Sequence, residues 1–491
     1  MSIPRFQSRA APEAALDAAP GAASATRGAP RVHVVTFGCQ MNKYDSLAVE
    51  GRFRRRGYET TESIEQADVV LFNTCSVREH AEERVFSWVG ELKTLKAQRP
   101  ELVVGVMGCM AERMGEDVFG RAALVDLVVG TRSFQHLPEL VDEVRTKREA
   151  GVGRKASRVT RLGFDETPDS ERGVERYTGG RLGYLTVMRG CDLNCTFCIV
   201  PTVRGRVLSR PMDELVDEAR WMVDQGAQVI TLLGQTVNSY GEDLPAAPNS
   251  SAAGRGRQGR PGLADLIYRL NELSGLERIR LVTLHPAYVT RGLAEALRDC
   301  RKADRFLPLP LQSGSDEILR RMKRGYTVDL YRQRAELLRE HCPDIELGSD
   351  WIVGFPGETD ADFELSERAL REQRFSVNYV FQYSPRPGTR AAELADDVPD
   401  EVKNERNRRF LKTCEQVQLE RHREQLAREL EVFVEQTSEK RPGVLQARSH
   451  TGLPVSFEGS EELVGTTQRV TVEHCTAFGL TATTARPAAV S

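Results

Sequence analysis

The stretch CDLNCTFC, Cys191 to Cys198, follows closely on the apolar run Tyr184-Leu185-Thr186-Val187-Met188. The run reads as a buried strand, so the cysteines occupy the loop at that strand's C-terminal end. Their spacing is C-x3-C-x2-C. Iron–sulfur clusters that only carry electrons are normally closed by four cysteines. Three thiolates would hold three irons of a 4Fe–4S cube and leave the fourth free to bind something else, much as catalytic zinc sites keep one position open. A zinc site would need a second C-x2-C or H-x3-H pair, which the chain lacks. A thioredoxin-like redox pair would leave Cys191 without a role.

Upstream, from Arg31, apolar runs alternate with helical stretches. Val32–Phe37, Val69–Phe72, Leu102–Met107 and Leu124–Val129 read as strands, and Cys39, Cys75 and Cys109 lie just past the first three. Uniformly apolar strands in a β/α alternation predict a parallel, doubly wound sheet covered on both faces. Ligands of such sheets bind outside the carboxyl ends of the strands. Three cysteines in the pattern C-x35-C-x33-C therefore converge on one edge of one sheet. A lone cysteine at a tight turn is commonly just a small buried residue. Three at the same topological position imply a second cluster with an open iron.

From Leu182 a second alternating series begins, with strands expected at Leu182–Met188, Val229–Leu233, Ile279–Thr283, Phe306–Leu309, Ile345–Val353 and Val377–Phe381. Six β/α units predict a parallel barrel, complete or partial, with its reactive residues on loops at the strand C-termini. Three such loops carry glycine and small polar residues: LLGQTVNSY (Leu232–Tyr240), LQSGSD (Leu311–Asp316) and DWIVGFPGET (Asp350–Thr359). Glycine lets a backbone approach a ligand closely, although each loop alone reads equally well as a turn. Glu401–Leu430 reads as a charged helix anchored by Phe410, Leu411, Val417 and Leu426. Beyond it, to Thr484, short β-rich segments broken by Pro, Gly and Ser predict a small antiparallel barrel, an architecture that often binds oligonucleotides.

A chain of 491 residues is long enough for several domains. The expected division is a disordered tail at 1–30, an N-terminal domain at 31–146, a linker at 147–176, a core at 177–422 and the β-domain at 423–487. The first thirty residues lack the apolar stretch of a secretory signal. No apolar run reaches the roughly eighteen residues of a membrane span, and the cytoplasm is the expected compartment. Ten cysteines are too few for a disulfide scaffold of this length. A net charge of −3 excludes binding nucleic acid by global basicity, leaving local patches. The β-domain does not supply one by composition, since residues 431–491 hold five Lys or Arg against seven Asp or Glu. The polar segment Thr146–Arg181 has a basic excess and reads as a solvated connector or an RNA contact. Asp243–Gly262 reads as a low-complexity insertion.

Two cysteine triads in one chain, with TFGCQMN (Thr36–Asn42), NTCSVRE (Asn73–Glu79), GCMAE (Gly108–Glu112), RGCDLNCTFCIVP (Arg189–Pro201), LPLQSGSD and IVGFPGET, resemble the methylthiotransferases of the radical S-adenosylmethionine (SAM) superfamily. The resemblance runs from about Arg31 to Thr484, and the β-domain is similar to the TRAM RNA-binding module. Within the family, these phrases look most like the branch acting on N6-dimethylallyladenosine beside the tRNA anticodon. The resemblance implies two 4Fe–4S clusters and SAM. Cys191, Cys195 and Cys198 would hold the SAM-binding cluster, and Cys39, Cys75 and Cys109 the auxiliary one. Phe197, Gly234, Gln235, Asn238, Ser313 and Asp350 would line the SAM pocket. Departures from the family pattern stand at Val207, Leu208, Thr236 and Pro308.

The implied reaction inserts a methylthio group at the adenine C2. No side-chain acid or base removes that hydrogen, so a cofactor-derived radical must. The adenine has to leave its stack, which suits an anticodon loop. A flavodoxin or ferredoxin would donate electrons, and the protein is expected to be a monomer. The alternatives are methylthiolation of threonylcarbamoyl-adenosine or of a ribosomal-protein aspartate. From other classes they are a non-catalytic iron–sulfur electron carrier and an RNA-binding protein with structural clusters.

Overall fold

A computed structural model describes residues 28–76, 79–163, 180–245 and 259–484. The expected tail up to residue 27, the middle of the connector and most of the Asp243–Gly262 insertion lie outside these. Among the described residues no helix is long and apolar enough to cross a membrane.

The first sheet has six parallel strands in the order β2-β1-β3-β4-β5-β6. They are β1 (Arg31–Thr36), β2 (Glu59–Thr60), β3 (Val69–Thr74), β4 (Val103–Gly108), β5 (Leu127–Val129) and β6 (Val159–Arg161). Every residue of β3 and β4 is buried, because successive side chains enter cores on opposite faces. Val70, Phe72, Val104 and Val106 pack with Val85 and Val89 of helix Glu79–Glu91. Leu71, Val103 and Met107 pack with Val49 and Phe53 of helix Gln40–Arg55 and with Val141 of helix Leu137–Glu149. This is the doubly wound arrangement. Two strands of this sheet were not expected: the two-residue β2, and β6, which falls inside the stretch read as a connector and pairs with β5 from Val159↔Leu127 to Arg161↔Val129. The first has no apolar side chain and the second has one in three residues, too few for a visible period.

The central domain opens with β7 (Leu182–Thr186) and then β8 (Met188–Arg189), which pairs antiparallel with β9 (Leu208–Ser209). The run read as one strand thus breaks at Val187, whose N–H bonds the Leu233 carbonyl. The remaining strands are β10 (Val229–Leu233), β11 (Arg278–Leu281), β12 (Phe306–Pro308), β13 (Glu346–Val353) and β14 (Val377–Gln382). They form two parallel sheets, β11-β10-β7 and β12-β13-β14, joined by the bridge Ile279↔Ala303. Among the described residues β7 and β14 do not pair, so the barrel is partial. Leu185, Ile230, Leu232, Ile279, Leu347 and Trp351 face the surrounding helices. On the other face Tyr184, Leu233 and Val282 receive Met41 and Tyr44 from helix Gln40–Arg55, which fixes the first domain against the open barrel.

Helix Asp400–Arg423 covers β14 and leads into the last domain. Phe410 and Val417 anchor it as expected, whereas Leu411 and Leu426 are exposed; the helix ends at Arg423, so Leu426 has no helical face to share. A closed barrel follows in the order β15-β16-β17-β19-β18. Its strands are β15 (Glu429–Thr437), β16 (Val444–Ser449), β17 (Pro454–Glu458), β18 (Thr467–Thr476) and β19 (Gly479–Thr484). All pairs are antiparallel except β17 with β19. It docks on the central domain through charge: Arg280 bonds Asp304 at 3.0 Å and the barrel's Glu435 at 2.6 Å.

Candidate metal centres

The first centre assembles where three strands end. In this strand order β1 is the switch point, since its connection runs one way to β2 while β3 lies on its other side. Cys39 follows β1 and caps helix Gln40–Arg55; its N–H and Sγ both contact Asn42 Oδ1, at 3.3 and 3.2 Å. Cys75 follows β3, and Cys109 opens helix Cys109–Met114 after β4. Two glycines permit this convergence. At Gly38 (φ +141°) a Cβ would stand 2.7 Å from the Cys75 Cβ, and at Gly108 (φ +100°) 2.6 Å from the Thr74 carbonyl oxygen. Both conformations disfavour other residues. Below the turns, buried Asn42 and Asn73 lock the strand ends together: Asn42 Nδ2 donates to Asn73 Oδ1 at 2.9 Å, and Asn73 Nδ2 returns to the Asn42 carbonyl at 2.8 Å.

The second centre is a single loop after β8. Cys191 and Cys195 are buried and Cys198 is half-buried. The loop is held from three sides. Gly190 N–H donates to Gln235 Oε1 at 2.5 Å, Thr236 Oγ1 lies 3.4 Å from Cys191 Sγ, and Arg324 Nη1 donates to Cys195 Sγ at 3.2 Å. Burial, followed by the neighbouring Cys195 and Cys191, pushes the Cys198 thiol up to about 12. Burial likewise raises Cys191 and Cys109. Such thiols shed their protons only to a strong Lewis acid, since metal binding requires the thiolate.

All six cysteines are free of disulfides. Among the described residues no three His, Cys, Asp or Glu side chains converge closely enough for one metal ion. A cube presents its irons at separate corners, so its cysteines need not share one coordination sphere. Three soft thiols at each centre, without a fourth ligand, fit a 4Fe–4S cube with an open iron.

The residues expected around SAM divide. Phe197 lies within the cysteine loop and packs on Met322, Phe355 and Tyr383. Gly234 sits against Met188, and Gln235 holds the loop as described. Asn238 gives both amide atoms to the His285 backbone, at 2.9 Å each. Ser313 is buried beside Ser366, 3.3 Å away, and accepts from Ser315 N–H. Asp350 is half-buried in β13. Two contributors were not foreseen, Arg324 and, at the first centre, Arg204, while Thr236, noted as a departure from the family pattern, supports the loop.

The comparisons with known proteins agree with this geometry. Residues 31–130 match the family described as "Uncharacterized protein family UPF0004", and residues 185–370 match the radical SAM superfamily. A curated relative from Syntrophotalea carbinolica, tRNA-2-methylthio-N(6)-dimethylallyladenosine synthase, is 39% identical over 438 residues, covering 88% of this chain and 94% of its own. The chain belongs to this family of radical SAM methylthiotransferases. A methylthiotransferase of the same description from Yersinia enterocolitica is 38% identical, covering 89% and 88%. Among solved structures, the radical SAM methyltransferase TsrM from Kitasatospora setae superposes with a TM-score of 0.52 at 14% identity, covering 85% of this chain and 80% of that one. That likeness concerns the fold. The methylthiotransferase family is enzymatic, and its cofactors are 4Fe–4S clusters and SAM.

Proposed function

We propose that this chain converts N6-dimethylallyladenosine beside the tRNA anticodon into its 2-methylthio derivative. The observation that carries the reading is the pairing of two three-cysteine centres, one on the strand ends of the first sheet and one on the barrel loop, locked together by the Met41 and Tyr44 contacts. Cys191, Cys195 and Cys198 would hold the SAM-binding cluster, and Cys39, Cys75 and Cys109 the auxiliary cluster. When bound, these groups and SAM supply the radical chemistry and the methylthio group that side chains lack.

The chain's own residues orient and enclose. Gln235 and Thr236 fix the cysteine loop, and Arg324 places a buried cation against Cys195. Of the residues assigned to SAM, Phe197, Gly234, Gln235 and Asp350 suit direct contact, while Asn238 and Ser313 act by holding the loops that face it. On the unpaired edge of the barrel, Tyr379 and Phe381 are 60% and 44% exposed. In register they stand opposite Asp350 and Ile352, while Asn378, just before them, turns to Gln418 of the covering helix. Exposed aromatics in such a place suit an unstacked base. Burying the five carbons of the isopentenyl group contributes about 3–4 kcal/mol at roughly 0.8 kcal/mol per carbon. That separates prenylated from bare adenosine by over a hundredfold. A flavodoxin or ferredoxin is the proposed donor, the cytoplasm the proposed compartment, and a monomer the proposed state.

Nucleoside mass spectrometry tests this in a strain lacking its own enzyme. A methylthio-dimethylallyl nucleoside should appear only when this gene is supplied. Appearance of a methylthio-threonylcarbamoyl nucleoside instead would move the chain to the sister activity.

A further inference from the structure

The two centres are joined by a segment that the reaction as described does not use. Helix Val200–Arg204 starts two residues after Cys198. Its N-cap Ile199 and its inner residue Val203 pack against Cys109 of the other centre. From the first domain, Thr131 Oγ1 donates to the Val203 carbonyl at 2.5 Å. Arg132 donates to the carbonyls of Arg204, at 3.0 and 3.1 Å, and of Arg206, at 2.9 Å. The helix ends in Arg204, whose Nη2 bonds Asp45 Oδ2 at 2.8 Å, with the two side chains 6% and 1% exposed. Asp45 belongs to the helix that Cys39 caps.

A buried ion pair is weak evidence for stability, because desolvating both charges costs several kcal/mol per ion. This one is also incompletely satisfied, since Asp45 Oδ1 is buried without a hydrogen-bond partner. The helix that Arg204 ends packs on Cys109 and on the helix that Cys109 opens, so the guanidinium's charge stands beside the first centre. Burial pulls the Arg204 pKa down, but the Asp45 carboxylate beside it more than offsets this and keeps the guanidinium charged. The cation is therefore fixed.

We propose that Arg204 is a positioning residue shared by both centres. Through its side chain it places a fixed positive charge beside the auxiliary cluster, against the helix that Cys39 caps, and through its backbone it sets the spacing between that cluster and the SAM-binding loop. Hydrogen bonds to sulfur and nearby charge are the protein's levers on cluster potential. The inference rests on the functional reading above, and it predicts a signature of its own.

The test is an EPR-monitored redox titration of the full chain with both clusters reconstituted. Arg204→Gln should lower the midpoint of the Cys39/Cys75/Cys109 cluster and leave the Cys191/Cys195/Cys198 cluster where it was. Asp45→Asn, which removes an anion from the same place, should raise the first midpoint, and Arg204→Lys should restore most of it. In Arg204→Gln the ratio of deoxyadenosine to methylthio product should rise several-fold. An unshifted midpoint in Arg204→Gln at full iron content overturns the proposal. If that variant loses iron, Asp45→Asn decides: an unchanged midpoint there overturns it equally. A wild-type protein that loads both clusters yet makes no methylthio nucleoside would overturn the functional reading instead, with the midpoint shifts still measuring Arg204.

Discussion

Cys191, Cys195 and Cys198 are placed by one loop, whereas Cys39, Cys75 and Cys109 are placed by three strand ends of one sheet. The loop carries its own geometry in consecutive residues, and its supports, Gln235, Thr236 and Arg324, arrive from neighbouring loops. The strand-end centre exists only when β1, β3 and β4 pair in register and when Gly38 and Gly108 let their turns close. The same donor set can thus be specified locally or by topology, and the two should fail differently.

The largest effect should come from the loop. The triple change Cys191→Ala, Cys195→Ala, Cys198→Ala should remove one of two clusters by iron analysis and abolish deoxyadenosine formation; surviving SAM cleavage would sink the assignment. Next, Cys75→Ala should block the methylthio product while deoxyadenosine formation largely persists. Normal methylthiolation by that variant would make the first triad structural. A smaller and more selective break is Gly108→Ala. Its φ of +100° and the Thr74 carbonyl 2.6 Å from the added Cβ should cost about 1–3 kcal/mol, read by denaturant unfolding. Iron should be lost from the strand-end centre and kept by the loop; equal loss from both would mean that the two are not independently specified. The mildest is Thr236→Val, which removes the hydroxyl 3.4 Å from Cys191 Sγ. SAM cleavage should slow by roughly two- to tenfold, the weight of one neutral hydrogen bond, with the strand-end cluster's EPR signal unmoved.

The same contrast explains what could be read in advance. A uniformly apolar run ending in a cysteine is a local signal, so β1, β3, β4 and the positions of Cys39, Cys75 and Cys109 were visible. So was the loop, since all three of its cysteines lie within eight residues. Strand β6 was not, because it is held by pairing with β5 rather than by its own pattern. Polar loop residues are ambiguous for another reason. Ser315 and Thr359, from two loops read as ligand-approaching, cap helices by accepting from Ile318 and Asp362 N–H. Nothing in one sequence separates a cap from a contact. Arg204 and Asp45 lie 159 residues apart, and such a pair becomes visible only when the first domain is seated on the barrel.

One asymmetry has a practical side. Of the six cysteines proposed to hold clusters, Cys39 is exposed and Cys198 half-buried, while the other four are buried. The corner that Cys39 would hold is the first that water and dissolved oxygen can reach. Ageing in air therefore has a starting point, and alkylation at Cys39 would count the molecules that have begun to come apart while their interiors are still sealed.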